Sequence, residues 1–264
     1  MGITIKHILD TLTADIVLPG DTVDKLEYGT TDSIVKGIAT AFVATQEVIE
    51  KAKNLGVNLI ISHEGIFYSH WDKRKMLKYD PIYRKKCKTI EESKMAIFRF
   101  HDYIHTYKPD AITAGLLKDL KWQNYEVINK PEVSIIEVSP MLLEDVISYI
   151  KSCLNLQYLR YEGDLSMHCS RIGILVGYRG SGESAIPIFV KENLDLIIYG
   201  EGPEWETPEY VRDAIYQGVQ KGVIVLGHAE SEAGGMKYLA EWLQERFPSI
   251  PVNFISEKAI FKIL

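Results

Sequence analysis

Hydrophobic positions recur along this chain in two alternating rhythms. Segments with apolar residues three and four apart give way to short unbroken apolar runs, the order expected of an α/β protein. The opening stretch MGITIKHILDTLTADIVL has polar residues at helical intervals and reads as an amphipathic helix, without the small-residue cleavage site of a signal peptide. Residues 43–55 carry helical periodicity up to Gly56, a C-cap, and VNLII at 57–61 reads as a buried strand. Further helices are expected at 81–93, 110–120 and 140–152, and strands at 95–100, 133–138 and 171–177. Toward the end, ETPEYVRDAIYQGVQK predicts a helix, VIVLG a strand, EAGGMKYLAEWLQERF a helix and PVNFI a strand. The stretch 66–81 is aromatic, basic and irregular. It reads as a loop or lid whose Ile66, Phe67, Tyr68, Trp71 and Met76 would either fold over a site or be buried in an interface.

One pattern occurs twice. NLIISHEG at 58–65 is echoed by DLIIYGEG at 195–202, each running from a helix pattern through Leu-Ile-Ile to Glu-Gly. The shared context favours a duplication, with repeats near 1–128 and 129–264 inside one unit spanning 1–264. Strand C-termini then fall at equivalent places, where open α/β sheets hold ligands.

Composition narrows the function classes. A chain of 264 residues can bury a core without disulfides. The formal net charge is −6, which argues against a general electrostatic grip on nucleic acid. Cys87, Cys153 and Cys169 are widely spaced and form no C-x-x-C pair, so neither a thiolate zinc site nor a disulfide framework is indicated, and a cytoplasmic location is the simple expectation. No apolar run approaches the ~18 residues of a membrane span.

The chemistry lies in the histidines. Five of the seven fall in three segments at predicted strand exits: SHEGIFYSH (62–70), HDYIH (101–105) and GHAESE (227–232). Each segment also contains a carboxylate, and imidazole with carboxylate suits zinc, manganese, iron, cobalt or nickel. His63 and Glu64 end the strand LIIS. His101 and His105 share a face if the chain turns helical there. His228 and Glu232, four apart at a helix start, are placed for chelation, with Glu230 a possible capping carboxylate. The loop GYRGSGES (177–184) offers Arg179, Gly180 and Ser181 as an anion-binding candidate, although a Gly-rich tight turn is the simpler reading.

These segments resemble the NIF-three-like family, whose members carry the designation GTP cyclohydrolase 1 type 2 homologue. NLIISHEGIF is similar to the family's LIISHHPLIF motif, GHAESE to its GHYASE or GHHATE, DLIIYGEG to its strand ending in T-G-E, and MAIFRFHDYIH to its I-x-x-Y-x-x-H-T-N-L-D strand. The resemblance implies a duplicated α/β fold with mixed sheets. It also implies toroidal homohexamers with two divalent metal ions per subunit. His63, His228 and Glu232 match ligands of the family. Glu64 stands at a second ligand histidine and His105 at a ligand aspartate, two departures that exchange an imidazole and a carboxylate. Asp102 could supply the displaced carboxylate, and Ala229 and Glu230 replace an aromatic and a small residue. The implied activity is metal-dependent hydrolysis of a small molecule, a purine nucleotide by the family's designation, with His101 or Asp102 as further ligand or general base. A non-catalytic hexameric metal-binding scaffold is the alternative.

Overall fold

The computed structural model describes residues 2–14, 16–18, 20–71 and 73–264. In chain order the elements are α1 (Ile5–Thr13), β1 (Lys25–Tyr28), β2 (Ile38–Val43), α2 (Gln46–Asn54), β3 (Leu59–Glu64), α3 (Pro81–Ser93), β4 (Ala96–Arg99), α4 (Asp102–Thr106), α5 (Ala111–Asp119), β5 (Glu126–Lys130) and β6 (Val133–Leu142). They continue with α6 (Leu143–Leu154), β7 (Arg160–Glu162), β8 (His168–Leu175), α7 (Gly182–Lys191), β9 (Leu196–Tyr199), α8 (Thr207–Tyr216), β10 (Gly222–Val225), α9 (His228–Arg246) and β11 (Val252–Phe254). The chain forms two compact units, one of Met1–Ala111 with Met236–Lys262, the other of Ile112–Gly235 with the last two residues.

Unit 1 holds a five-stranded sheet in the order β1-β4-β3-β2-β11. Only β1 runs antiparallel to its neighbour. The inner strands are apolar on both faces, as parallel strands covered on two sides must be. Ala39, Ala41, Ile60 and Ile97 pack on Val48, Ile49 and Ala52 of α2 and Ile90 of α3. On the opposite face Thr40 donates its hydroxyl to the Met236 carbonyl at 2.7 Å. Helix starts are set by side-chain caps: Thr45 accepts from Val48 N–H, and Asp80 from Tyr83 N–H ahead of Pro81.

Unit 2 holds a six-stranded sheet in the order β5-β6-β8-β9-β10-β7, in which β8, β9 and β10 are parallel and the outer pairings antiparallel. Its core joins Ile135, Leu175, Ile197 and Val223 of the sheet to Phe189 of α7 and Val211 of α8. The fold class is therefore α/β with two mixed sheets. Among the described residues no helix is long and apolar enough to cross a membrane.

Several boundaries differ from the periodicity. The helix expected from 43 starts at Gln46, because Val43 still belongs to β2. The helix expected from 140 starts at Leu143, because β6 pairs with β8 as far as Leu142. The last helix starts at His228. In the 66–81 stretch, Ile66 and Phe67 are buried in the unit 1 core, while Tyr68, Trp71 and Met76 are exposed.

Two glycines in α9 look like a defect in a helix, since each costs about 1 kcal/mol against alanine. Packing explains them. A Cβ on Gly115 of α5 would stand 2.5 Å from the Gly235 Cα, and a Cβ on Gly235 would strike Ile112. Gly115→Ala should therefore destabilise unit 2 by roughly 1–3 kcal/mol, the scale of overpacking, where helix propensity alone predicts a gain. Urea denaturation of the two proteins gives the sign.

Candidate metal centre

Parallel pairing of β3 with β4 sets the first half of the site. Ser62 faces Arg99 in register, and Phe100 N–H still donates to the Ser62 carbonyl at 2.8 Å. The chain then turns into the single turn of α4. Asp24 makes that turn possible by accepting from the N–H groups of His101, Asp102 and Tyr103 at 2.7, 2.9 and 3.0 Å. His101 and His105 thereby arrive beside His63, with ring centroids 4.6 Å apart for His63 and His101, 5.0 Å for His63 and His105, and 5.1 Å for His101 and His105. One ligand atom from each of the three rings lies within 4.8 Å of the others.

The orientation of these rings is fixed from behind. Nδ1 of His63 lies 3.2 Å from the Phe100 carbonyl, Nδ1 of His101 lies 2.8 Å from Asp102 Oδ1, and Nδ1 of His105 lies 2.9 Å from Asp110 Oδ2. Each acceptor claims the Nδ1 proton, so each ring offers its Nε2 lone pair, the arrangement that orients histidine ligands in metal sites. The donor set therefore fits a borderline divalent ion. Asp102 is fully engaged, since its second oxygen accepts from Thr22 Oγ1 at 2.8 Å and Val23 N–H at 2.9 Å. The hydrogen bond to His101 foremost holds its carboxyl well below the usual range. These contacts make Asp102 the positioning partner of His101.

Glu64 follows His63 but faces different company. Its Oε2 accepts from Arg99 Nη2 at 2.8 Å, and its Oε1 lies 3.5 Å from His101 Nε2. Burial would raise its pKa, but His101, His63 and Arg99 outweigh that and bring it down to about 2. Glu64, His70 and His101 form a second group with ligand atoms within 4.8 Å. Burial lowers the pKa of His70. Beside it lies a cavity of about 440 Å³ lined by Gly20, Asp21, Val23, His70, Trp71 and Asp102, in the size range of small-molecule sites.

In unit 2 the strand exits of β9 and β10 bring Glu201 to His228. His228 Nδ1 lies 2.9 Å from Glu201 Oε1, and its Nε2 lies 3.1 Å from Glu232 Oε2 one turn along α9. Burial would lower the His228 pKa, but Glu232 and Glu201 override it and raise it to about 9. Gly177, at φ +63°, closes on this pair: a Cβ there would strike the Glu232 carboxylate and lie 3.3 Å from His228 Nε2. Glu230 folds back over Gly227, whose φ is +107°. In the neighbouring loop, Ser181 caps α7 by accepting from Ser184 N–H. Gly180 N–H donates to the Glu201 carbonyl at 3.1 Å and Gly182 N–H to Glu206 Oε2 at 2.6 Å. These amides already have acceptors within the protein, so the loop backbone does not hold them open for an anion.

The sequence model of Duf34/NIF3 (NGG1p interacting factor 3) matches residues 20–259. The chain belongs to the NIF3 family. Among its relatives, the GTP cyclohydrolase 1 type 2 homolog of Clostridium perfringens is 26% identical over 241 residues, covering 88% of this chain and 87% of that one. The protein of the same name from Escherichia coli is 26% identical over 230 residues, covering 84% of each. A solved Bacillus cereus protein related to NIF3 matches with TM-score 0.80 at 14% identity, covering all of both chains. A Staphylococcus aureus hypothetical protein matches with TM-score 0.78 at 20% identity, also over all of both.

Several site residues of this NIF3 chain carry little signal in the sequence. Asp24 acts from a loop with no histidine nearby in sequence order, and Asp110 from a loop five residues past His105 with no motif to mark it. Arg99 had a visible signal, a lone charge in the apolar strand MAIFRF. In the sequence Gly177 is only one glycine of a tight turn. A pH test follows from His228. Its folded pKa of about 9 exceeds the ordinary 6.5. The stabilisation it gives the metal-free protein is whole below about pH 6.5 and is lost as pH rises through about 9. Between pH 6 and pH 10, chelator-treated protein should lose on the order of 1–3 kcal/mol more than His228→Gln, read by urea unfolding.

Proposed function

We propose that this chain is a divalent-metal-dependent hydrolase, with His63, His101 and His105 as ion ligands in unit 1 and His228 with Glu232 as the ligand pair of unit 2. The observation that carries the reading is the set of three imidazoles whose Nδ1 atoms are each held by an oxygen acceptor. Rings fixed in this way are pre-organised to ligate through Nε2. A bound divalent ion would lower the pKa of water and polarise an electrophilic carbon or phosphorus centre. The protein's part is positioning: Asp102 and Asp110 hold two of the rings, and the cavity beside His70 and Trp71 receives the substrate. Arg179 is proposed to meet a substrate anion. A purine nucleotide is the proposed substrate class, supported by the relatives' designation as GTP cyclohydrolase 1 type 2 homologs and by the exposed Trp71 ring at the cavity.

Purified protein should take up zinc or manganese, and His105→Ala should weaken that uptake by 100-fold or more while far-ultraviolet circular dichroism stays unchanged. Asp110→Asn should weaken it by about 10–100-fold. Divalent-dependent hydrolysis should appear in a screen of nucleotides and phosphoesters. Ion uptake without turnover of any of them would favour the scaffold reading, and no uptake at all would reject both.

The assembly is proposed to be a homo-oligomer, a hexamer by the family resemblance, with closed symmetry. Support comes from unit 1, where Tyr68, Trp71, Met76 and Tyr79 are all exposed within one short stretch. Sedimentation should give a species larger than the monomer at micromolar concentration, and Trp71→Glu should shift it toward smaller species.

A further inference from the structure

Unit 2 holds a cavity of about 260 Å³ between its sheet and α8. None of its lining residues belongs to the histidine and carboxylate clusters of the candidate metal centre. Its floor follows from strand register. Arg160 of β7 faces Val225 of β10, which faces Tyr199 of β9, and Glu162 faces Val223 one step along. Residues paired in this way share a sheet face. Pro208 and Arg212, four apart on α8, line the cavity from above.

Tyr199 is 1% exposed, and its hydroxyl has no hydrogen-bond partner among the described residues. Burial pushes its pKa up to about 12, so the hydroxyl keeps its proton. The ring is hemmed in, since a Cβ on Gly180 would stand 2.5 Å from it. A buried polar group left unpaired is costly, and phenylalanine would fill the same space without that cost. We infer that this cavity is a binding site for a free α-amino acid with an apolar side chain, and that the Tyr199 hydroxyl is its buried hydrogen-bond donor.

The charges select a zwitterion. Arg160 gives Nη1 to Glu204, and both side chains are exposed. Such a pair is worth little, and the rest of the guanidinium fork is open to a ligand carboxylate. Arg212 is engaged by Glu209, with Nε 3.2 Å from Oε2. Glu162 makes no ion pair among the described residues, although Arg212 acts on it through space. The cavity therefore carries one carboxylate more than guanidiniums, which suits an ammonium group at Glu162. Val223, Val225 and Pro208 are the apolar surface for the side chain. The volume falls below that of drug-sized sites, which favours a small metabolite.

Calorimetric titration of the full chain with L-leucine, L-valine and L-phenylalanine tests the site. At least one should bind, and 4-methylpentanoate and 3-methylbutylamine, each with one of leucine's two charges, should bind roughly 10-fold or more weakly than leucine. Tyr199→Phe should weaken binding by about 10-fold or more, yet melt no lower than the unmodified protein without ligand. Should that variant not fold, Arg160→Gln on the exposed edge should weaken binding similarly. No binding of any of the three amino acids, equal binding of a single-charge analogue, unchanged affinity in the variants, or a lower melting temperature of ligand-free Tyr199→Phe would each overturn the inference.

Discussion

The parallel pairing of β3 with β4 is the constraint on which the candidate centre depends. It persists one residue beyond the strand proper, through the Phe100 N–H to Ser62 carbonyl bond. Because of it, His63 ends one strand beside the residue at which the next chain segment turns. The same pairing places the Phe100 carbonyl behind His63, so the backbone that aligns the strands also orients a ring. A shift of register by one residue would send His63 to the other face of the sheet.

Much of this architecture is legible in the sequence, because the inner strands are unbroken apolar runs between helices with clear stops. Gly56 takes a positive φ of +71° just past α2, where the sequence places a cap. The short outer strands are not legible. KLEY of β1 and RYE of β7 are half-exposed antiparallel edges whose identity comes from their partners, β4 and β10. The histidine clusters are visible because their residue types are uncommon in bland loops. Their supporting carboxylates are not, because Asp24 and Asp110 read as ordinary loop or cap residues until the fold brings them to an amide or a ring. Arg99 marks the limit between the two cases. A charge in an apolar strand announces a buried partner without naming it.

Each unit sets a glutamate from the repeated Glu-Gly motif against a histidine from the following strand exit. In unit 1, Glu64 Oε1 lies 3.5 Å from His101 Nε2. In unit 2, Glu201 Oε1 lies 2.9 Å from His228 Nδ1. The difference in ring atom separates the roles. A carboxylate on Nδ1 supports a ligand from behind, whereas one near Nε2 occupies the side from which an ion would approach. Arg99 in the first unit resolves that crowding by drawing Glu64 into an ion pair.

The three amide bonds accepted by Asp24 carry a kinetic consequence. They join positions 77 to 79 residues apart along the chain. α4 has five residues, too few to hold its own shape in water. The histidine geometry therefore cannot form as local structure while the chain is still collapsing. It must wait until the segment before β1 has docked against β4, a distant pairing of the kind that slows folding. Ions present during folding will meet flexible imidazoles first and the finished ligand set last. The order in which metal and fold arrive then becomes a property that refolding with and without zinc can measure.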